Sequence, residues 1–232
     1  MASVKTEIGI IRYTPKPLFF GRKPIDKEIA KENLLDFKRV ADQHHLNFGL
    51  IYGTLLGAVR ERDFIEHDED IDLFVLEEDK NLLLNLIFEL RQIGFEIARY
   101  DRRGLLSIIR NNEYIDFYIF SKFKQGVRTC CGECVIESFL LNTTQIEFLS
   151  GMFVVPLKYV EFLEFQYGTD WKTPVIYANF NKNSKIDSLM FLIKEYIKIF
   201  LPDCLFYKFV GANEKQFIKS FYQKLETSKI QL

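Results

Sequence analysis

The chain has 232 residues and a mass of 27.4 kDa, which suits one large domain or a domain with an appended subdomain. A hydrophobic content of 48% is enough for a packed core and excludes global disorder, and the net charge of −1 provides no overall field for nucleic acid. No apolar run reaches the roughly 18 residues of a membrane-spanning helix. Residues 1–24 also lack the apolar core of a signal peptide. We therefore expect a cytoplasmic protein without a transmembrane segment and without a nucleic-acid partner.

The N-terminal part of the chain is predicted to hold a helix and a strand behind an irregular lead-in. Residues 1–24 contain three prolines and are interpreted as that lead-in, with a short strand at 7–12. Residues 25–45 repeat apolar side chains at helical spacing, which predicts a helix of about five turns. An apolar strand is predicted to follow at 47–52.

The middle and the end of the chain alternate between helical and extended patterns. A helix is predicted at 79–92, followed by strands at 95–100, 105–110 and 114–120. The remaining predicted segments are a polar loop at 122–134, extended stretches at 135–141 and 146–155, and helices at 157–167, 185–200 and 214–224. These patterns predict a single α/β core with a helical C-terminal part.

An acidic cluster lies in the stretch 51–76, where a glycine turn and a short helix lead into an apolar strand. In a strand, Asp70 and Asp72 point to one face and Ile71 to the other. Alternate residues of a strand are about 7 Å apart, so both carboxylates can bind one hard cation such as Mg²⁺. A register that pairs Asp68 with Asp70 stays open, but an inward-facing Ile71 favours Asp70 and Asp72.

Two further features connect this cluster to phosphate chemistry. Gly53 follows an apolar strand and opens a helix, so its backbone N–H can approach a phosphate, and Thr54 is the predicted helix N-cap. Asp116 is the single carboxylate within the apolar run 114–120 and is the candidate for a third metal ligand. The alternative is a solvated acidic run without a site, and composition does not decide between the two interpretations.

Two sequence blocks resemble the signature of a known family. The first block is GTLLGAVR at 53–60, followed by FI at 64–65 and DEDID at 68–72. The second is VPL at 155–157, followed by YGTDWKTP at 167–174. In order and spacing the two blocks resemble the LicD family, which includes bacterial phosphocholine transferases and fukutin-type proteins within the nucleotidyltransferase superfamily.

The resemblance implies a nucleotidyltransferase-type α/β (α+β) fold, with a mixed sheet flanked by helices in a domain at 25–180. A helical extension at 181–232 would pack on this domain. The implied site residues are catalytic and metal-binding Asp70, Asp72 and Asp116, and substrate-binding Gly53, Thr54, Arg60, Asp68 and Trp171. Mg²⁺ is the expected metal, with Mn²⁺ as a substitute. Arg60 would contact the donor phosphate, and an ion pair with Glu61 or Asp63 stays open as its alternative.

The function implied by the resemblance is metal-dependent transfer of a phospho-substituent, with phosphocholine favoured, from a CDP-activated donor such as CDP-choline. The acceptor would be a sugar hydroxyl of a surface glycan or glycolipid, as in lipopolysaccharide or capsule biosynthesis, with peripheral contact to the inner membrane. One alternative keeps the fold but uses an NTP to modify a small molecule or a protein. A second alternative is a non-enzymatic binding module with a degenerate site.

Three cysteines close together, Cys130, Cys131 and Cys134, invite a zinc interpretation with Cys204 or a histidine as fourth ligand. Their spacing is not that of a standard zinc ribbon, and the sequence offers no second CxxC. We therefore expect free thiols rather than a zinc site.

Overall fold

We describe residues 1–18, 24–175, 185–228 and 230 in a computed structural model of the chain. The predicted domain boundary at residue 180 lies outside the described residues, so the division into a core and an extension stays a prediction.

The described residues form helices and strands that alternate along the chain. The helices are α1 Lys27–Gln43, α2 Tyr52–Arg60, α3 Lys80–Gln92, α4 Glu137–Leu141, α5 Tyr159–Tyr167, α6 Lys185–Phe200 and α7 Asp203–Thr227. The strands are β1 Ala2–Lys5, β2 Ile10–Tyr13, β3 Gly49–Leu50, β4 Ile71–Leu76, β5 Glu96–Asp101, β6 Leu105–Arg110, β7 Glu113–Lys124, β8 Val127–Cys130, β9 Glu133–Ile136, β10 Thr143–Phe148 and β11 Gly151–Pro156.

A mixed sheet with the strand order β3-β4-β7-β6-β5 forms the centre of the fold. The pair β4–β7 is parallel, whereas β3–β4, β7–β6 and β6–β5 are antiparallel. A parallel pair needs a long crossover, which α3, β5 and β6 provide between β4 and β7. The strands β8 and β9 extend the sheet from the C-terminal end of β7. The predicted mixed sheet flanked by helices, with a helical C-terminal part, is confirmed.

The two faces of this sheet differ in chemistry. One face carries Ile71 and Leu73 of β4 beside Phe117 of β7, and all three side chains are buried. The helix α1 packs on this face, where the Phe37 ring lies 4.8 Å from the Phe117 ring. The other face carries Asp72, so the apolar core and the acidic cluster occupy opposite sides of the same strands.

The N-terminal lead-in is more regular than the sequence predicts. The strands β1 and β2 pair as an antiparallel hairpin, whereas the pattern predicts one strand at 7–12. Lys16 N–H donates to the carbonyl of Ala98 at 3.0 Å and ties the segment to β5. Four-residue strands offer too few alternations for the sequence pattern to distinguish them from a loop.

The segment that contains the cysteine cluster is also more regular than predicted. The polar loop predicted at 122–134 is wrong, because β7 continues to Lys124 and a β8–β9 hairpin follows. Cys131 and Gly132, at φ of 53° and 90°, form the two-residue turn of this hairpin. The extended stretch predicted at 135–141 ends early, because α4 begins at Glu137. The cysteine spacing therefore follows the geometry of a tight hairpin.

The two C-terminal helices bury different kinds of side chain, a carboxylate in α6 and the apolar Phe206, Val210 and Phe221 in α7. The only buried residue of α6 in the described part of the chain is Glu195, and several of its apolar side chains are exposed. Arg102 donates to the carbonyls of Lys198 and Leu201 at 2.7 and 3.0 Å, which stabilises the C-terminal end of α6. Helix α7 begins at Asp203, earlier than the predicted residue 214. Within the described ranges, none of the helices combines the length and apolar character needed to cross a membrane.

Candidate active site

Asp72 and Asp116 lie side by side on one face of the sheet. They are register partners in the parallel pair β4–β7, and both residues are buried, at 6% and 3% relative exposure. Register partners in neighbouring strands share a face, so the structure brings two of the predicted carboxylates together. Their role as metal ligands stays a prediction.

Two more carboxylates extend this cluster just before β4. Asp70 and Asp68 are half-buried in the segment that leads into Ile71. Burial, followed by the charges of Asp72 and Asp116, raises the pKa of Asp70 well above its ordinary value. Burial and the nearby carboxylates likewise raise the pKa of Asp72, and burial raises the pKa of Asp68 to about 6. The cluster therefore favours any cation that would offset its charge.

The turn from β3 into α2 is bonded to Asp72. Gly53 N–H donates to Asp72 Oδ2 at 3.1 Å, and Asp72 N–H donates to Thr54 Oγ1 at 2.8 Å. A Cβ atom at Gly53 would lie 2.3 Å from Asp68 Oδ2, so only glycine permits this close approach. The Gly53 N–H, which the sequence predicts to face a phosphate, thus donates to a carboxylate of the cluster.

The predicted N-cap role of Thr54 is wrong. Helix α2 begins at Tyr52 with Ile51 at the N-cap, and no side chain caps it. Tyr52 has a φ of 47°, a left-handed conformation that turns the chain into the helix before Thr54 is reached. Thr54 is 1% exposed within the first turn, where its hydroxyl fixes the start of β4.

A cleft of about 750 Å³ opens beside the acidic cluster. Its wall includes Gly53, Arg60 and Asp68 from the first sequence block and Trp171 from the second. A volume of this size is typical of small-molecule sites. The structure therefore brings four of the five predicted substrate-binding residues to one cleft, while Thr54 lies buried beneath it.

Arg60 already has protein partners within this cleft. It donates from Nε and Nη2 to Glu61 Oε1 at 3.2 and 2.7 Å, and from Nη1 to the carbonyl of Trp171 at 3.1 Å. The pairing with Glu61 is the alternative that the sequence leaves open. The pairing with Asp63 is not formed, because Asp63 accepts from Lys27 at 2.8 Å. These bonds use three of the five guanidinium N–H donors, which leaves one on Nη1 and one on Nη2 for a donor phosphate.

Trp171 is buried in the wall of the cleft at 5% relative exposure. Among the described residues its indole Nε1 has no hydrogen-bond partner. A buried indole N–H usually finds an acceptor, so this donor is available to a ligand. Lys172 Nζ lies 5.5 Å from the Trp171 ring centroid and adds positive charge at the same wall.

Sequence reasoning missed two charged residues of this site, Arg99 and Glu133. Arg99 of β5 donates from Nη2 to Asp116 Oδ2 at 2.5 Å. Glu133 of β9 shares a hydrogen bond with Tyr52, and burial together with the Asp116 charge raises the pKa of Glu133. Like Asp116, Arg99 is a charged residue within a largely apolar strand, and this pattern could have identified it. Glu133 follows a glycine turn in a polar segment, where a carboxylate does not stand out.

The donor chemistry of the cluster fits a divalent cation. Carboxylate oxygens are the ligands that Mg²⁺ and Mn²⁺ prefer, and buried Asp116 Oδ1 has no hydrogen-bond partner in the described ranges. Among the described residues, no group of three or more His, Cys, Asp or Glu side chains has the geometry of a metal site. Burial and the charges of neighbouring carboxylates raise the pKa values of Asp70 and Asp72, and a bound cation would offset the repulsion between these charges.

The sequence profile of the family described as LicD/FKTN/FKRP, nucleotidyltransferase domain, matches residues 45–169, more than half of the chain. The chain belongs to the LicD family. The matched range contains the acidic cluster and all the predicted site residues except Trp171. The LicD-family assignment and the predicted nucleotidyltransferase fold are confirmed.

Individual relatives of this LicD-family protein match over shorter segments. The chain is 27% identical over 89 residues to uncharacterized protein RT0683 of Rickettsia typhi, which covers 38% of this chain and 28% of that protein. It is 30% identical over 67 residues to uncharacterized protein RP689 of Rickettsia prowazekii, which covers 29% of this chain and 25% of that protein. The chain thus spans about a quarter of the length of these curated relatives.

The solved structures similar to this chain include that of the lincosamide antibiotic adenylyltransferase LnuA bound to lincomycin. The TM-score is 0.42 at 14% sequence identity, over 72% of this chain and 96% of that one. At this level of similarity, no conclusion about substrate or activity follows.

Proposed function

We propose that this LicD-family protein transfers a phospho-substituent from a CDP-activated donor to a sugar hydroxyl of a surface glycan or glycolipid. Phosphocholine is the favoured substituent, and lipopolysaccharide or capsule is the acceptor class. The observation that carries the proposal is the parallel register of Asp72 and Asp116, next to a cleft lined by both sequence blocks. The proposal includes a cytoplasmic location and peripheral contact with the inner membrane.

The residues of the cluster have distinct parts in this proposal. Asp70, Asp72 and Asp116 would hold Mg²⁺ or Mn²⁺, and such a cation supplies charge that offsets the donor diphosphate. Gly53 keeps the turn beside the cluster narrow, because a side chain there would meet Asp68. Thr54 fixes the start of β4 through its hydroxyl and so orients Asp72.

The reaction itself is a displacement at phosphorus. The acceptor hydroxyl attacks the phosphorus that bears choline, the bond to the CMP oxygen breaks, and the hydroxyl proton passes to a carboxylate, for which Asp116 is the candidate. Arg60 and Lys172, at the wall of the cleft, would bind phosphate oxygens, Arg60 through the N–H donors that its bonds to Glu61 and Trp171 do not use.

The test compares which donor is consumed. The protein is incubated with Mg²⁺, a lipopolysaccharide or capsule acceptor, and CDP-choline, CTP or ATP in parallel, and the release of CMP or pyrophosphate is measured. The proposal predicts CMP release from CDP-choline that is abolished in Asp70→Asn and Asp72→Asn and is unchanged in Asp42→Asn, a control on the surface of α1. Full turnover in either cluster variant would contradict the metal assignment.

A second candidate function keeps the fold and changes the donor. A nucleotidyltransferase that uses an NTP to modify a small molecule or a protein is favoured by one observation, the description of the matching family as a nucleotidyltransferase domain. It predicts release of pyrophosphate from CTP or ATP and none of CMP from CDP-choline. A non-enzymatic binding module predicts neither product, and it predicts no Mg²⁺-dependent binding of CDP in calorimetry.

A further inference from the structure

A buried polar row crosses three strands beside the acidic cluster. Arg99 of β5, Ser107 of β6 and Asp116 of β7 are successive register partners on the face that carries Asp72. Arg99 donates from Nε to Ser107 Oγ at 3.0 Å and from Nη2 to Asp116 Oδ2 at 2.5 Å. The three residues are 8%, 0% and 3% exposed. The row therefore holds Asp116 from the side opposite to Asp72.

The two carboxylate oxygens of Asp116 are in different situations. Oδ2 accepts the bond from Arg99, whereas Oδ1 is buried and has no hydrogen-bond partner in the part of the chain that the structure describes. A buried acceptor without a partner costs about 1–3 kcal/mol, so it points to a ligand that binds there. Asp72, on the neighbouring strand, is the adjacent carboxylate that would share this ligand.

We propose that Arg99 is a positioning residue that holds Asp116 Oδ2 and so leaves Oδ1 as the single oxygen presented to a divalent cation. This inference rests on the metal-dependent function proposed above. A guanidinium is suited to the task, because its planar, fixed donors orient a carboxylate more strictly than the point charge of a lysine does. Groups that orient a metal ligand in this way commonly affect metal affinity although they do not touch the metal.

The test measures Mn²⁺ binding to the purified chain by calorimetry, with no donor or acceptor present. Arg99→Met is expected to weaken Mn²⁺ binding by about 10–100-fold, as for the loss of other groups that orient metal ligands. Arg110→Met is the matched control, because Arg110 is also 8% exposed, lies on the adjacent strand β6 and pairs with Asp36 at 2.8 Å on the opposite face. It should destabilise the fold without changing Mn²⁺ affinity.

Each outcome decides between the proposal and its alternatives. Equal Mn²⁺ affinity in Arg99→Met and Arg110→Met overturns the role of Arg99. If Arg99→Met does not fold, Arg99→Lys decides, because it keeps the charge and loses the planar donors, and unchanged affinity there overturns the role equally. No binding by the unmodified chain contradicts the proposed metal-dependent function itself.

Discussion

Replacing Asp72 by Asn is expected to stabilise the metal-free protein while abolishing its response to a divalent cation. The side chain is buried opposite Asp116, and its Oδ2 accepts a hydrogen bond from Gly53 N–H at 3.1 Å. The amide oxygen of an asparagine can accept the same bond, so the local geometry is retained. The substitution therefore changes the charge of the cluster with little change in shape.

The size of the effect follows from the spacing of the strands. Neighbouring strands lie about 4.8 Å apart, so the carboxylates of Asp72 and Asp116 repel by roughly 3 kcal/mol at an effective dielectric constant of about 20. The ion pair between Arg99 and Asp116 and proton uptake by the cluster both reduce this value. A gain of about 1–2 kcal/mol remains, which corresponds to an increase in Tm of about 2–8 °C for a chain of this size.

The assay is a thermal melt of both proteins, first with a chelator and then with Mg²⁺. A ligand at about 100 times its Kd stabilises the folded state by about 2.7 kcal/mol, so the unmodified chain should gain about 5–11 °C with Mg²⁺. Asp72→Asn should melt higher with chelator and gain nothing with Mg²⁺, whereas Asp42→Asn should follow the unmodified chain. An Asp72→Asn protein that melts lower with chelator, or that gains as much from Mg²⁺, would refute this reasoning.

Three further outcomes can be measured on single variants. Gly53→Ala places a Cβ 2.3 Å from Asp68 Oδ2, so the carboxylate must move by about 1 Å, and transfer should slow by about 10–100-fold with little change in Tm. Trp171→Phe keeps the ring but removes the indole N–H that lacks a partner among the described residues, so calorimetry should show weaker CDP binding. Two bonds from Arg128 lower the pKa of Glu78 to about 2, so the pair stabilises the fold above the ordinary pKa of 4.5 and the effect is lost as pH falls toward 2. Glu78→Gln should cost about 1 kcal/mol of folding free energy at neutral pH, because the Glu78 side chain is 55% exposed. The resulting difference in Tm from the unmodified chain should vanish in acid.

For each of these three variants, a control variant or a stated outcome can contradict the prediction. Gly211→Ala in α7 meets no atom within 4 Å and should leave transfer unchanged, so an equal loss in Gly53→Ala and Gly211→Ala would contradict the close-approach explanation. Unchanged CDP affinity in Trp171→Phe would show that its N–H binds no ligand. Glu77→Gln, at the exposed neighbouring position, is the control for the Tm measurements at falling pH. A Tm difference for Glu78→Gln that persists at pH 2 would contradict the ion-pair explanation.

Local patterns predict the strands of this fold where turn chemistry bounds them on both sides. The strand β6 is predicted with its observed bounds, because Gly104, at φ of 110°, precedes it and Asn111 and Asn112, at φ of 51° and 68°, follow it. The β8–β9 hairpin is missed, because its polar residues resemble a loop until β7 provides a pairing partner. Such pairing is a long-range property that composition does not contain.

The site is predictable where a single residue departs from its surroundings. Asp116 stands out within an apolar strand, and the register of β4 and β7 then brings it beside Asp72. Arg99 becomes meaningful only when β5, β6 and β7 are aligned, because the bond to Asp116 spans two strand boundaries. The partners of Arg60 depend on where the second block folds back, and sequence spacing alone leaves them open.

The most direct measurement is an anomalous difference map from a crystal soaked with Mn²⁺ and CDP. The proposed function predicts a peak about 2.0–2.3 Å from oxygens of Asp70 and Asp72, with Asp116 Oδ1 turned toward it and the CDP phosphates in the adjoining cleft. A map with CDP in the cleft and no manganese peak at these carboxylates, or with the peak elsewhere in the molecule, would contradict it.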